Sequence, residues 1–207
     1  MYVQYGCGLS APDNWLNFDS SPTLKFQKIP IAGILAKRKV LFPKNVKYGD
    51  IVLGLPGIAD ESCDGVYCSH VLEHLSLKDM RTALKKTFAM LKKGGIFRCV
   101  LPDLEDAIRN YSADKLSNPE EASINFMNNT LLGLQERPRG LKGLFIAFYG
   151  NAHHLWMWDH DSLKAELLNA GFSSVRKCTF NDSADKNFIT VENEGRFNNA
   201  IALEAIK

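Results

Sequence analysis

No uninterrupted apolar run in this 207-residue chain approaches the roughly 18 residues that suggest a membrane span, so the chain reads as water-soluble with no membrane-crossing helix. The stretch Met1 to Gly8 lacks the positive segment, apolar run and small-residue cleavage site of a secretory signal, and a cytoplasmic location is expected. The five cysteines (Cys7, Cys63, Cys68, Cys99, Cys178) are odd in number, scattered and never spaced as C-x-x-C. Neither a disulfide framework nor a thiolate zinc site is indicated. An excess of charge of one sign is also missing, with 25 Lys and Arg against 23 Asp and Glu, and the basic runs Lys37-Arg38-Lys39, Lys85-Lys86 and Lys92-Lys93 are short and separated. A nucleic-acid binder would gather a stronger basic excess on one face, so no such partner is expected. No linker-like stretch or internal repeat divides the chain, which reads as a single domain over residues 1–207.

What is present is a core-forming share of apolar residues, 45%, arranged in short pieces. Met1 to Tyr5 and Trp15 to Asp19 read as strands around the turn Gly6-Cys7-Gly8. Val46 to Leu55 and Gly65 to Ser69 read as two more, and Ile29 to Val40 fits helix or loop equally. From Leu77 to Leu91, the residues Met80, Ala83, Leu84, Thr87, Phe88 and Leu91 recur at three- and four-residue steps, which predicts an amphipathic helix. Lys92, Lys93 and Gly94-Gly95 are expected to end it, before a strand from Ile96 to Leu101. Asp103 to Ser112 and Glu120 to Leu134 carry helical patterns, and Glu136 to Gly150 reads as a surface excursion. Asp159 is a plausible N-cap for a helix to Asn169, with Gly171 beyond its end. Val175 to Phe180 and Ala200 to Ile206 then read as closing strands able to pair antiparallel.

Three places can house chemistry. Gly6 and Gly8 follow a strand end, where missing side chains let a ligand touch the backbone, and Asp19 ends the next strand at the same sheet edge. A carboxylate there can accept both hydroxyls of a ribose. A dinucleotide fingerprint would need a third glycine and a later acid. The six residues between Gly8 and Trp15 are also fewer than the dozen or so that a parallel crossover takes, so the first helix is expected to be vestigial or missing. Second, His70-Val71-Leu72-Glu73-His74 matches in letters the H-x-x-E-H zinc motif, but that chemistry needs one continuous helix, and His70 directly follows a strand. The third is His153-His154-Leu155-Trp156-Met157-Trp158, which gains interest only if the fold brings it over the same sheet edge.

Taken together, YGCG, WLNFD, GDIVLGLP, CDGVYCSHVLEHL, LKKGGIFRCVLPD and HHLWMWDHDSLKAELLNAGF resemble, in content and order, the class I S-adenosylmethionine-dependent methyltransferases, with the closest look to the type-11 branch. The resemblance implies a Rossmann-like α/β methyltransferase fold: a mostly parallel central sheet, an antiparallel C-terminal edge strand, a first helix short or missing, and a helical insertion around residues 103–150. It implies S-adenosylmethionine as cofactor. Tyr5, Gly6, Cys7 and Gly8 would face its methionine part, Asp19 would hold the ribose with Ser20 beside it, Asp50 and Ile51 would contact adenine, and Ser69 and His70 would line the site from the fourth strand. Gly54 stands where many relatives carry an acid. Some relatives hold magnesium with an acid-x-x-Glu-His segment; His70 replaces that first acid, and magnesium prefers oxygen ligands, so no metal is expected.

A sulfonium-bound methyl group is reactive without help, so the implied enzyme mainly aligns a nucleophile behind it, a contribution of about 7 to 11 kcal/mol in favourable cases. An alcohol acceptor would gain from a general base near neutral pH, for which His74 and His153 are the candidates. A small molecule or glycan precursor, a sugar hydroxyl first, is the acceptor expected by association. Two other readings are an NAD-dependent oxidoreductase, disfavoured by the short glycine turn, and a methyltransferase-like binding protein that has lost catalysis.

Overall fold

The computed structural model describes residues 1–29, 41–136, 140 and 153–207. The apolar tetrads at the start form β1 (Tyr2–Tyr5) and β2 (Leu16–Asp19), which run parallel with Val3 opposite Leu16 and Tyr5 opposite Phe18. Parallel neighbours usually need a crossover of about a dozen residues or more, commonly a helix. Here Gly6 to Trp15 make the crossing with no helix, as the short spacing predicts. A one-and-a-half-turn helix follows, α1 (Pro22–Gln27), started by the Ser21 side chain capping Thr23 N–H and by proline at its first position. Next come β3 (Val46–Tyr48) and β4 (Cys63–Ser69). The amphipathic helix is α2 (Leu77–Met90), capped by Ser76 and burying Met80, Ala83, Leu84, Thr87 and Met90. It leads into β5 (Leu91–Pro102). Helices α3 (Leu104–Ser117) and α4 (Ala122–Asn129) precede α5 (His160–Asn169), whose N-cap is Asp159, accepting from Ser162 N–H at 2.8 Å. Strands β6 (Ser174–Lys177) and β7 (Ala200–Ile206) close the chain.

The sheet has the order β3-β2-β1-β4-β5-β7-β6, parallel from β3 to β5, with β7 antiparallel to both neighbours. This is the Rossmann-like α/β arrangement. The reversed strand is not itself the edge: β7 sits inside and β6 outside. Their sequences explain the choice, since β7 buries Ile201, Ala202, Leu203 and Ala205 whereas the short, charged SVRK of β6 stays largely exposed and suits an edge.

Several boundaries depart from expectation: α3 runs on to Ser117, α4 stops at Asn129, and three others have a local cause. The third strand stops at Tyr48, because Gly49 leads into a turn closed by Gly54 N–H donating to the Asp50 carbonyl at 2.8 Å, with Gly54 at φ +105°. The α2 helix ends at Met90 without a glycine cap. Leu91, fully buried, already pairs with Cys63, and Lys92 to Gly95 bulge out before Ile96 pairs with Gly65. The last strand pair is shorter at Lys177, beyond which the polar connection carries two 3-10 turns, Lys186–Thr190 and Glu194–Phe197. Residues 30–40, and most of the stretch from Glu136 to Gly150, lie outside the described residues. Among the described residues, no helix is long and apolar enough to cross a membrane.

Strand alternation divides the core between two faces. Val66, Cys68, Phe97, Cys99, Leu101 and Leu203 pack under α2 and α5 with Leu84, Leu163 and Leu167. Tyr67, Val100 and Ala202 face the other way and are covered by Trp15 from the β1–β2 crossing and by Phe188 and Val191, so the polar connection roofs the second face in place of a helix. On that face Arg98 of β5 is buried. Its guanidinium donates to Glu204 at 2.6 Å, Glu192 at 2.6 Å, Asp182 at 3.0 Å and the Thr179 carbonyl at 3.0 Å. Arg176 on β6 completes the cross-strand row, donating to Glu204 at 2.8 Å and to Asp182 at 2.9 Å.

Burial alone would raise the Asp182 and Glu204 carboxyls, but hydrogen bonds from Arg176 and Arg98 hold both below their ordinary values. A depressed folded-state pKa contributes stability that is present above the unfolded carboxylate pKa, about 4, and lost as pH falls through the folded value. Urea unfolding is therefore expected to show stability declining below about pH 4. Arg98→Met should cost about 3–5 kcal/mol at neutral pH, because buried Glu192 loses its cationic partner and Glu204 keeps only Arg176. A cost below about 1 kcal/mol would show that the cluster is not holding this face.

Candidate functional site

The chain runs from β1 outward to β2 and β3, then returns to place β4 and β5 on the other side of β1. In parallel sheets, such a reversal leaves a crevice at the carboxyl ends of the two strands that flank it, here β1 and β4. Gly6 follows β1 at φ +64°, a conformation that side chains disfavour, and a Cβ there would lie 2.2 Å from Val71 Cγ2, just past β4. Glycine is thus required twice over, by backbone conformation and by the approach of the β4 segment. Gly8, at φ +55°, needs glycine for conformation alone, since nothing lies within 4 Å of its missing Cβ.

Asp19 ends β2 beside this turn. Its Oδ2 accepts from Gly8 N–H at 2.9 Å and its Oδ1 accepts from Ser21 N–H at 2.8 Å. The glycine turn and the carboxylate therefore converge and are bonded to one another. Each carboxylate oxygen keeps a further lone pair free. In front of them opens a cleft of about 540 Å³, lined by Gly6, Asp19 and Ser20 from the first two strand ends, Asp50 and Ile51 from beyond β3, and His70 and His74 from beyond β4. That is within the range of roughly 300 to 1,000 Å³ usual for small-molecule sites. Asp50 Oδ1 accepts from Val52 N–H at 2.8 Å, which fixes the turn on which it stands.

The remaining residues singled out from the sequence lie behind or beside the cleft. Tyr5 is core, with its hydroxyl 3.2 Å from Thr87 Oγ1. Cys7 is buried against Leu24 and Val46, and burial pushes its thiol up to about 12. Ser69 Oγ pairs with His70 Nδ1 at 3.1 Å. His70 itself has φ +56°, and burial, with Arg196 nearby, lowers it to about 4, so its imidazole is neutral. It also forms part of a second cavity, of about 290 Å³, between the end of β5 and helices α3 and α4. His153 is not brought to the cleft; its ring Nδ1 lies 3.4 Å from the Leu131 carbonyl.

The H-x-x-E-H letters do not form one helix. Only Leu72–His74 is helical, as a single 3-10 turn. The 153–158 segment does reach this turn: Leu155 N–H and Trp156 N–H donate to the Glu73 carbonyl at 2.7 and 3.1 Å, and His74 Nδ1 lies 3.0 Å from the His153 carbonyl. The histidine that enters is His154, which the sequence does not distinguish from its neighbour except that one of two adjacent residues in an extended segment must face inward. Ser21 and Thr23 were also missed as lining residues; the Ser-Pro helix start was the available signal. Glu73 is 1% exposed, and burial pushes its carboxyl up to about 8.

The methyltransferase-domain family profile matches residues 10–177. Among solved structures, an S-adenosylmethionine-dependent methyltransferase from Archaeoglobus fulgidus aligns with TM-score 0.53 and 18% identity, over 100% of this chain and 85% of that one. One from Thermotoga maritima aligns with TM-score 0.50 and 20% identity, over 100% and 81%. PigF, solved with SAH, aligns with TM-score 0.51 and 15% identity, over 100% and 50%. At such identities the likeness is one of fold. No curated protein matches the chain.

The two glycines give a graded test of the turn. Gly8→Ala should cost about 1–2 kcal/mol for the left-handed conformation alone, and Gly6→Ala that amount plus about 1–3 kcal/mol of overpacking against Val71. Equal losses in urea unfolding would mean that the Gly6–Val71 approach does not constrain the site.

Proposed function

The chain belongs to the methyltransferase-domain family and is a class I S-adenosylmethionine-dependent methyltransferase, and on that premise we propose that the cofactor lies in the cleft between the Gly6 turn and His70, with its ribose on Asp19. The observation that carries this reading is the doubly anchored Asp19 carboxylate, which two backbone N–H groups aim and which keeps a lone pair on each oxygen for a vicinal diol. Gly6, with no side chain, lets the methionine part approach the backbone at the switch point. Ser20 flanks the ribose, and Asp50 with Ile51 offers a polar and an apolar wall to the adenine. Tyr5, Cys7 and Ser69 support the cleft from behind.

S-adenosylmethionine supplies a methyl group already activated by its sulfonium. What the chain adds is alignment and exclusion of water. The acceptor is a small molecule or glycan precursor, held in the second cavity. Its lining supports that size and polarity, with Asp103, Asp106 and Asp114 for hydroxyl or amine groups and the Tyr111 and Phe126 rings, 5.7 Å apart, for an apolar or ring face. His70 borders both spaces and so separates donor from acceptor. Helices α3 and α4 then act as the insertion that builds the acceptor side of a single domain spanning residues 1–207. A general-base role for His153 gains no support from its placement, since it does not line the cleft, whereas His74 does line it and its Nδ1 contact with a carbonyl leaves Nε2 as the basic nitrogen.

Calorimetry with S-adenosylhomocysteine tests the cofactor assignment. Asp19→Asn keeps the size of the side chain but removes its charge, and hydrogen bonds to a charged group contribute about 1.5–3 kcal/mol. The expected result is a loss of roughly 10- to 150-fold in affinity. Unchanged affinity would overturn the ribose assignment.

A further inference from the structure

The carboxylate of Glu73 is buried, and neither of its oxygens has a hydrogen-bond partner. Two imidazole nitrogens face it, with the Arg196 charge also acting on it: His74 Nε2 lies 4.0 Å from Glu73 Oε1, and His154 Nε2 lies 3.9 Å from the same oxygen. All three donor atoms lie within 4.8 Å of one another. We propose that Glu73, His74 and His154 form a binding site for a divalent transition-metal ion of the zinc type, at the wall of the cofactor cleft.

Several features of the structure prepare these groups for an ion. The segments that bear them are far apart in sequence but are stapled by backbone hydrogen bonds from Leu155 and Trp156 to the Glu73 carbonyl, and His154 N–H is held by the Leu131 carbonyl at 3.2 Å. His74 Nδ1 lies 3.0 Å from the His153 carbonyl. That contact places the ring proton on Nδ1 and leaves the Nε2 lone pair facing Glu73, the outer-shell arrangement that metal-ligating histidines commonly show. The His154 Nδ1 is buried with no hydrogen-bond partner. Metal bonds of about 2.0–2.2 Å at tetrahedral angles set donors on the order of 3.4 Å apart, a contraction that side-chain rotation can supply. His74 also lines the cleft, so an ion held there would stand beside the reacting groups.

The donor set decides the class of ion. Two imidazoles and one carboxylate suit zinc and its neighbours, and match the three-ligand sites that keep one position open. Magnesium would want oxygen ligands, as the replacement of an acid by His70 already argued. His70 is not a ligand, being paired with Ser69, and His154 from the distant segment takes the place that the linear motif assigns to it. The competing reading, a carboxylic acid left buried with no partner, would cost several kcal/mol of desolvation and would give no reason for two imidazoles to converge on it.

The site can be tested on the whole chain after stripping with a chelator. Zinc chloride titrated calorimetrically is expected to bind at one equivalent, and cobalt(II) is expected to give the visible absorption of a four- or five-coordinate nitrogen–oxygen site. Glu73→Gln and His154→Ala should each weaken zinc by at least tenfold, while the stripped wild-type protein still binds S-adenosylhomocysteine. Absence of saturable zinc or cobalt binding by the wild-type protein, or binding unchanged in both variants, would overturn the proposal. Should one variant fail to fold, the other variant and the cobalt spectrum of the wild-type protein still decide it. Because the cofactor titration is separate, failure of the metal site and failure of the Asp19 assignment give different results.

Discussion

Two hydrogen bonds to one carboxylate hold together the part of the molecule on which the rest depends. Asp19 receives the Gly8 N–H from the turn after β1 and the Ser21 N–H from the start of α1, so three chain segments meet at a single side chain. The usual crossover helix between β1 and β2 is absent, and this carboxylate, with the Cys7 N–H donating to the Phe18 carbonyl at 3.1 Å, ties the ten-residue crossing to the strand it joins. Left-handed backbone at Gly6 and Gly8 makes the turn tight enough for that bond, and the same tightness brings Val71 up against Gly6. Fold and site are one constraint here, because the groups that would receive a nucleoside are those that close the β1–β2 unit.

Burial of titratable groups follows two patterns within the chain, and the contrast is informative. Arg98 is as deeply buried as any residue, yet its guanidinium is met by three carboxylates and a carbonyl, and those carboxylates take further donors from Arg176 and the Asn181 N–H. That network closes the face of the sheet left uncovered by helices. Glu73 is buried to the same degree with both oxygens unpaired and two histidines at about hydrogen-bonding distance plus 1 Å. A buried carboxyl, charged or protonated, is normally hydrogen-bonded, paired or bound to metal. A chain that satisfies the Arg98 cluster so fully and leaves Glu73 and its two histidines open beside the cleft marks the second group as a place for a ligand.

Much of this was legible in the sequence, for physical reasons that differ by element. Helix α2 declared itself because Met80, Ala83, Leu84 and Thr87 recur at helical steps, and α5 because Asp159 and Gly171 mark its ends. The convergence of Gly6 and Asp19 was read from their places at consecutive strand ends and from the family resemblance, although the connection is shorter than a parallel crossover usually takes. The bulge at Lys92 to Gly95 was not legible: glycine after a lysine pair signals a cap, and only the pairing of Leu91 with Cys63, a long-range contact, decides otherwise. Nor was the β7–β6 order, which depends on which strand buries more once both are formed. In the site, Cys7 and Ser69 neighbour residues that face the cleft, yet Cys7 packs into the core and Ser69 is half-buried against His70. His154 was hidden for the same reason, since two adjacent histidines differ only in which way the extended chain turns them.

The most direct measurement is a crystal structure of the protein with S-adenosylhomocysteine bound. The account predicts the ribose hydroxyls on the two Asp19 oxygens, the homocysteine part over Gly6 and the adenine between Ile51 and the β4 side of the cleft. A nucleoside bound elsewhere, or in this cleft with its ribose turned away from Asp19, would contradict it.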